Sequence, residues 1–214
     1  MPFKNAKHKE ILGESFFLLP QKAIYRVSDE SLLLSDLHLG KAITFQKNGI
    51  PLSKKPEEED LLRLKDLLLQ TQAKKVFFLG DLFHSRINSS FQQVLELIAN
   101  FKNISFTLIL GNHDQFSRGK YVLPNNMNEV QAWEDDLFFY HHEPIETKKF
   151  LICGHIHPGF VLGTQREKIV LPCFYLESHF CILPSFGSLT GLHKMKKTKH
   201  SELYLISEGG IYFI

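Results

Sequence analysis

Short apolar runs are spaced along the whole chain, and five of them end in the same way. Residues 32–35 run into Asp36-Leu37-His38, 76–79 into Gly80-Asp81 and 104–110 into Gly111-Asn112-His113-Asp114. Residues 137–140 run into His141-His142, and 150–153 into Gly154-His155-Ile156-His157. Runs this short, rich in Val, Ile, Leu and Phe, read as strands. Further strands are expected at 23–27, 169–176, 180–183, 203–206 and 211–213, with Gly209-Gly210 as the turn of a terminal hairpin. Such a chain is constrained to sheets, and open α/β sheets bind ligands beyond the C-terminal ends of their strands.

Two stretches carry the helical period instead. In 57–72 the apolar residues 61, 62, 64, 67, 68 and 69 form a broad face, behind Pro56 and the acids of 57–60 at the dipole-positive start. In 90–101 the face is 91, 94, 95, 98 and 101. Early β-α-β alternation followed by a strand-rich second half predicts an α/β fold with sheets packed in layers. The 214 residues, 43% of them hydrophobic, suit one domain spanning 1–214 with a sizeable core. A net charge of +2 excludes both an acidic tail protein and a strongly basic DNA-coating protein. Three cysteines in no paired spacing, no secretory h-region and no run of eighteen apolar residues predict a cytoplasmic protein without a transmembrane helix.

The polar residues at the strand ends define a chemistry. In D-x-H and H-x-H the ligand-type residues sit at i and i+2, which face the same way on extended backbone. Gly80, Gly111 and Gly154 precede them and are expected to let the chain turn sharply. Two Asp, one Asn and several of the chain's eleven His, with no Cys among them, suit Mn, Fe, Zn or Co rather than a thiolate zinc site. Two adjacent metals need a shared ligand, which a carboxylate supplies and an imidazole does not; Asp81, alone on its strand end, is the choice for the bridge. Such a pair, roughly 3.5–4 Å apart with a hydroxide between, clamps an in-line displacement at phosphorus.

The five motifs together, spanning residues 36–157, resemble the signature of the calcineurin-like metallophosphoesterases. The resemblance implies a four-layer α/β/β/α sandwich of two mixed sheets flanked by helices, with a dinuclear centre. It implies Asp36, His38, Asp81 and His157 on one metal, and Asp81, Asn112, His155 and the fourth-motif histidine on the other. That histidine is His141 or His142; the H-x-P reading of His142-Glu143-Pro144 favours His142. His113 would protonate the leaving oxygen, with Asp114 as its orienting partner. The stretches DLHLGKAITFQKNGIP, GDLFHS, GHIHPG and LPSFGSLTG are similar to the bacterial ligase-associated DNA-damage-response endonuclease branch. That narrower resemblance implies two divalent ions, manganese foremost, phosphodiester hydrolysis on DNA, and a DNA ligase and helicase as partners.

Substrate contacts are read independently. The intervals between motifs leave no room for a separate lid domain, which suits a bulky or polymeric phosphodiester unless a homodimer partner covers the site. Lys41, Arg118 and Lys120 are candidate phosphate clamps, and His84 is expected beside the site. Lys194, Lys196, Lys197 and Lys199, with His193 and His200, form either a DNA-contacting cluster or a solvated loop. Cys153 and the phenylalanine pairs 16–17, 77–78 and 138–139 read as core. Two other functions stay open: a phosphatase or pyrophosphatase for a nucleotide-linked small molecule, and a non-catalytic interaction module on the same fold.

Overall fold

The computed structural model describes residues 3–84, 88–116, 118–164 and 167–214. Its first sheet takes up strands in the order in which the chain reaches them: β1 (Lys7–Ile11), β2 (Glu14–Leu19), β3 (Ala23–Arg26), β4 (Ser31–Leu34), β5 (Lys75–Leu79), β6 (Ser105–Ile109) and β7 (Met127–Val130). Pairing is antiparallel from β1 to β4 and parallel from β4 to β7. Parallel neighbours need crossovers. Helices α1 (Lys41–Lys47) and α2 (Lys55–Thr71) therefore lie between β4 and β5, and α3 (Ser89–Asn100) between β5 and β6.

The second sheet holds β8 (Trp133–Glu134), β9 (Phe138–Tyr140), β10 (Phe150–Cys153), β11 (Pro158–Gly163), β12 (Lys168–Glu177), β13 (Phe180–Ile182), β14 (His193–Lys194), β15 (Glu202–Ser207) and β16 (Gly210–Phe213). Its order is β14-β11-β12-β13-β10-β9-β8, with β15 alongside β12 and β16 closing the expected hairpin. β9, β10 and β13 are mutually parallel. The C-terminal ends of β4, β5 and β6 in one sheet, and of β9 and β10 in the other, are the five strand ends that carry the motifs.

Three apolar layers hold this together. Phe16, Leu18, Ile24, Leu33, Phe77 and Ile109 of the first sheet meet Phe138, Tyr140, Ile152, Phe174 and Leu183 of the second. Burying each such side chain contributes about 1.5–3 kcal/mol. Arg26 crosses the seam, donating to Glu14 at 3.1 Å and to Asp135, with its guanidinium over the Phe138 ring. The helices cover the outer face of the first sheet through Leu64, Leu67, Leu68, Phe91, Val94 and Ile98. The flanking differs on the other side: among the described residues no helix covers the second sheet. Phe160, Leu162, Met195 and Ile214 pack there instead on Cys153, Cys173, Tyr175 and Leu205. All three cysteines are free and buried, and burial pushes the Cys153 thiol up to about 12, as a small core residue.

Several elements differ from the sequence expectation. The face of α2 is narrower than read, because Leu62 and Leu69 are 60% and 57% exposed. Glu57 and Asp60 are buried instead, in phase with Leu64, Leu67 and Leu68. Helix α1 escaped the reading because its cap is not local: Glu57 of α2 accepts the N–H groups of Gly40 (3.1 Å) and Ala42 (2.6 Å). Strand β7 is short and polar, and depends on its neighbours: Asn126 donates to the carbonyls of Ile98, Phe101 and Ile104 just before it. No helix among the described residues is long and apolar enough to cross a membrane.

Candidate metal centre

The loops that leave β4 and β5 run side by side. Asp36 N–H donates to the Gly80 carbonyl (3.0 Å), His38 N–H to Asp81 (2.9 Å), Leu39 N–H to Leu82 (3.0 Å) and His84 N–H to Leu39 (2.9 Å). This keeps these four backbone donors paired while both chains leave their sheet. Asp36, His38, Asp81, His155 and His157 all have φ between 50° and 67°. Non-glycine residues in the left-handed region are strained and persist only where the surroundings hold them. Here the strain falls on the ligand-type residues themselves.

The glycines do something other than was expected of them. Of Gly80, Gly111 and Gly154, Gly80 alone has a positive φ. Each of the three marks a close approach: a Cβ would stand 2.1 Å from His142 Nδ1 at Gly80, 2.2 Å from Asp81 Oδ1 at Gly111, and 2.5 Å from Asp36 Oδ2 at Gly154. The bare backbone of one motif is thus packed against the ligand-type side chain of another. Gly154→Ala is expected to cost about 1–3 kcal/mol of stability through overpacking and to displace Asp36. In thermal scans its unfolding midpoint falls, and most of the upward shift that Mn²⁺ gives the parent protein disappears. A parental midpoint and a parental shift together would refute the packing argument.

The side chains converge in two groups. Asp36, His38 and His157 form one: His157 Nε2 is 3.1 Å from Asp36 Oδ1, and the Nε2 atoms of His38 and His157 are 3.3 Å apart. Asp81, His142 and His155 form the other, with His155 Nδ1 3.1 Å from His142 Nε2 and Asn112 Oδ1 at the same distance from it. Asp81 Oδ2 lies between the groups, 3.7 Å from His38 Nε2 and 3.5 Å from His142 Nε2. Asp36, His38, Asp81 and His142 are all buried.

These atoms fit a divalent cation better than they fit one another. His142 Nδ1 is 2.9 Å from the Leu79 carbonyl and must donate to it, so in the neutral ring Nε2 is a lone pair. That lone pair faces the oxygens of Asn112 and Asp81. Asp36 Oδ1 is buried and accepts no hydrogen bond, the contact with His157 Nε2 at 3.1 Å included, an arrangement that is costly without a cation. The same crowding appears as a shifted pKa. Burial alone would lower that of His142, but Asp81 and Asp36 outweigh it and push it up to about 9. Burial dominates at His38, whose pKa falls to about 3 despite the same two carboxylates. All-oxygen and imidazole donors without sulfur suit Mn, Fe, Zn or Co.

Of the adjacent pair, the structure brings His142 into the cluster. His141 turns away, its Nδ1 beside the Glu143 backbone. His113 stands at the rim with Nε2 4.0 Å from Asp81 Oδ2, while its own N–H donates to Asp81 Oδ1 (2.9 Å). The expected orienting contact from Asp114 is replaced. His113 Nδ1 meets the His84 carbonyl at 2.6 Å, and the two rings stack at 4.9 Å. Asp114 is buried and its carboxylate accepts the N–H groups of Phe83 and Gly111, both at 3.0 Å. It ties the β5 loop to the β6 loop instead, and burial raises its pKa to about 7.

His84 lies against the cluster beside His38 and His113, with burial, His113 and Lys41 lowering its pKa to about 4. Lys41 opens α1 with its ammonium 5.9 Å from the centre of the Phe45 ring. Arg118 is exposed on the turn that follows the 3-10 helix Asp114–Phe116. Lys120, exposed nearby, donates from Nζ to the Phe116 carbonyl (2.8 Å).

Sequence reasoning missed a strap. Ser185 Oγ (2.7 Å) and Gly187 N–H (3.0 Å) both donate to the Asp36 carbonyl, and Phe186 N–H donates to Ser35 (2.8 Å). Asp60 of α2 anchors this strap by accepting Ser188 N–H and Oγ at 2.7 and 2.6 Å, and Arg63 stacks on Phe186. The available signal was Asp60 itself, an acid three residues from Glu57 and in phase with the apolar face.

A model of the calcineurin-like phosphoesterase family matches residues 31–183. Among solved structures, the crystal structure of Pseudomonas putida nuclease MPE is similar at a TM-score of 0.83 and 31% sequence identity, covering 98% of this chain and 100% of that one. Yfce, a phosphoesterase from E. coli, aligns at a TM-score of 0.37 and 15% identity, over 83% of this chain and 88% of that one. A comparison with curated proteins gives no match.

Proposed function

Since this chain belongs to the calcineurin-like phosphoesterase family and is a metal-dependent phosphoesterase, we propose that it is a nuclease with a dinuclear centre that hydrolyses phosphodiester bonds in DNA. Asp36, His38, Asp81 and His157 hold one divalent ion; Asp81, Asn112, His142 and His155 hold the other. The observation that carries this reading is the placement of the Asp81 carboxylate, within 3.7 Å of an imidazole from each group. The nuclease assignment is supported by end-to-end similarity to a nuclease at 31% identity.

When bound, divalent cations supply Lewis-acid stabilisation of the phosphoryl group and lower the pKa of water. The chain's own groups supply the rest. His113 gives a proton from Nε2 to the leaving oxygen, its ring held by the His84 carbonyl on Nδ1 and by the stacked His84 ring. Lys41, Arg118 and His84 contact the phosphodiester around this centre. The side chains of His113 and His157 remain 31% and 20% exposed, an access route that suits a long substrate. The wider reading is a single catalytic domain over 1–214, manganese as the working metal, a cytoplasmic repair role, and a DNA ligase and helicase, or a second copy of the chain, as partners.

The test loads metal-free protein with Mn²⁺, Fe²⁺, Zn²⁺ or Co²⁺ and compares bis(p-nitrophenyl) phosphate, p-nitrophenyl phosphate and single-stranded DNA. Turnover of the diester and of DNA, highest with Mn²⁺, is expected. Preference for the monoester would replace this reading with a phosphatase. Two bound metals with no turnover of any substrate would replace it with a non-catalytic module.

A further inference from the structure

Strand β14 is an edge strand, and it is paired to the chain that leaves the metal cluster. His193 N–H donates to the carbonyl of His157 (2.9 Å) and Met195 N–H to that of Gly159 (2.8 Å), with Lys194 in register with Gly159. From Gly187 to Ser201 the sequence contains no acid, but it contains Lys194, Lys196, Lys197 and Lys199. The whole chain carries +2, so without these four lysines the remainder would sum to −2. All four side chains are exposed, and none has a hydrogen bond or ion pair to another described residue. Met195 packs inward against the outer core of the second sheet. Lys194 is in β14 itself, and Lys196, Lys197 and Lys199 follow in the exposed chain beyond Met195.

We propose that this basic edge, Lys194 to Lys199, is the surface on which the phosphates of a single nucleic-acid strand lie while a neighbouring diester occupies the metal cluster. The inference rests on the nuclease reading and adds the surface that selects a polymer over a small diester. The charges form a line in the chain with no acid between them, and the hydroxyl among them, Thr198 Oγ1, donates to the Glu177 carboxylate at 3.4 Å. Such a line recognises a phosphate backbone without reading sequence. The rival explanation is that the lysines only keep an exposed sheet edge from pairing with other chains.

The experiment titrates metal-free protein with a fluorescein-labelled oligo(dT) by anisotropy between 50 and 300 mM KCl. Replacing four phosphate contacts is expected to flatten the plot of log K against log salt by about 3, since each contributes about 0.7 on single strands. The variant K194Q/K196Q/K197Q/K199Q is therefore expected to show that change and at least a tenfold weaker Kd at the lowest salt. The pairs K194Q/K196Q and K197Q/K199Q each remove about half of it, which covers a folding failure of the full variant. A control with the same charge change, K7Q/K65Q/K102Q/K148Q, keeps the parental slope. Parental affinity and slope in the edge variants, or an equal loss in the control, would overturn the proposal. Binding is read without metal, so failure of the Mn²⁺-loaded protein to cleave any diester would refute the nuclease reading alone.

Discussion

Asp81→Asn is expected to reduce Mn²⁺-dependent diester hydrolysis by about 10³-fold or more while leaving the protein folded. The substitution is conservative in every respect but one. Asn is among the residues that tolerate the left-handed conformation observed here, φ 51°. Its amide oxygen still accepts the His113 N–H that Oδ1 accepts now, so the β6 loop keeps its place. What is lost is the negative charge and the acceptor at Oδ2, the atom that faces both imidazole groups. Charge stabilisation by a metal is worth several kcal/mol, and about 4 kcal/mol corresponds to roughly a thousandfold in rate. Metal analysis after gel filtration is expected to show the loss of at least one equivalent, with far-ultraviolet circular dichroism unchanged. A variant that kept two equivalents and full turnover would end the bridging assignment.

The second large effect depends on the leaving group. His113→Ala is expected to slow DNA cleavage by about 10²–10⁴-fold, the range for a positioned general acid. Hydrolysis of bis(p-nitrophenyl) phosphate is expected to fall far less, because p-nitrophenolate departs without needing a proton. The contrast follows from the ring's geometry. Nδ1 is committed to the His84 carbonyl at 2.6 Å, which leaves Nε2 as the atom directed toward the cluster, 4.0 Å from Asp81 Oδ2. His113 also contributes its backbone N–H to Asp81, and the Ala variant retains that bond. Equal losses on both substrates would show that the ring holds the metal site together, and would remove the proton-transfer role.

Much of this architecture was legible as local pattern. Strands β4, β5, β6, β9 and β10 announced themselves as apolar runs, and each ended where the polar motif began. The preference for His142 over His141 came from the family resemblance, through the H-x-P spelling of His142-Glu143-Pro144. The exceptions share one cause. Helix α1 is capped from α2, β7 is held through Asn126, and the acids at 57 and 60 look like dipole-facing residues in the sequence. Only the packed molecule shows that Glu57 holds the start of α1 and that Asp60 anchors the strap over Asp36.

The sequence by itself determined which residue types stand at the strand ends, and therefore the oxygen-and-imidazole donor set. Strand length, side-chain alternation and turn residues are set within a few positions of the chain. The tertiary structure alone decided which partner each group meets: Asp114 on Phe83 and Gly111 rather than on His113, and Gly80, Gly111 and Gly154 against His142, Asp81 and Asp36. Those pairings join loops from strands far apart in the chain. Their geometry follows from how two sheets and their crossovers pack, which no local window of residues contains.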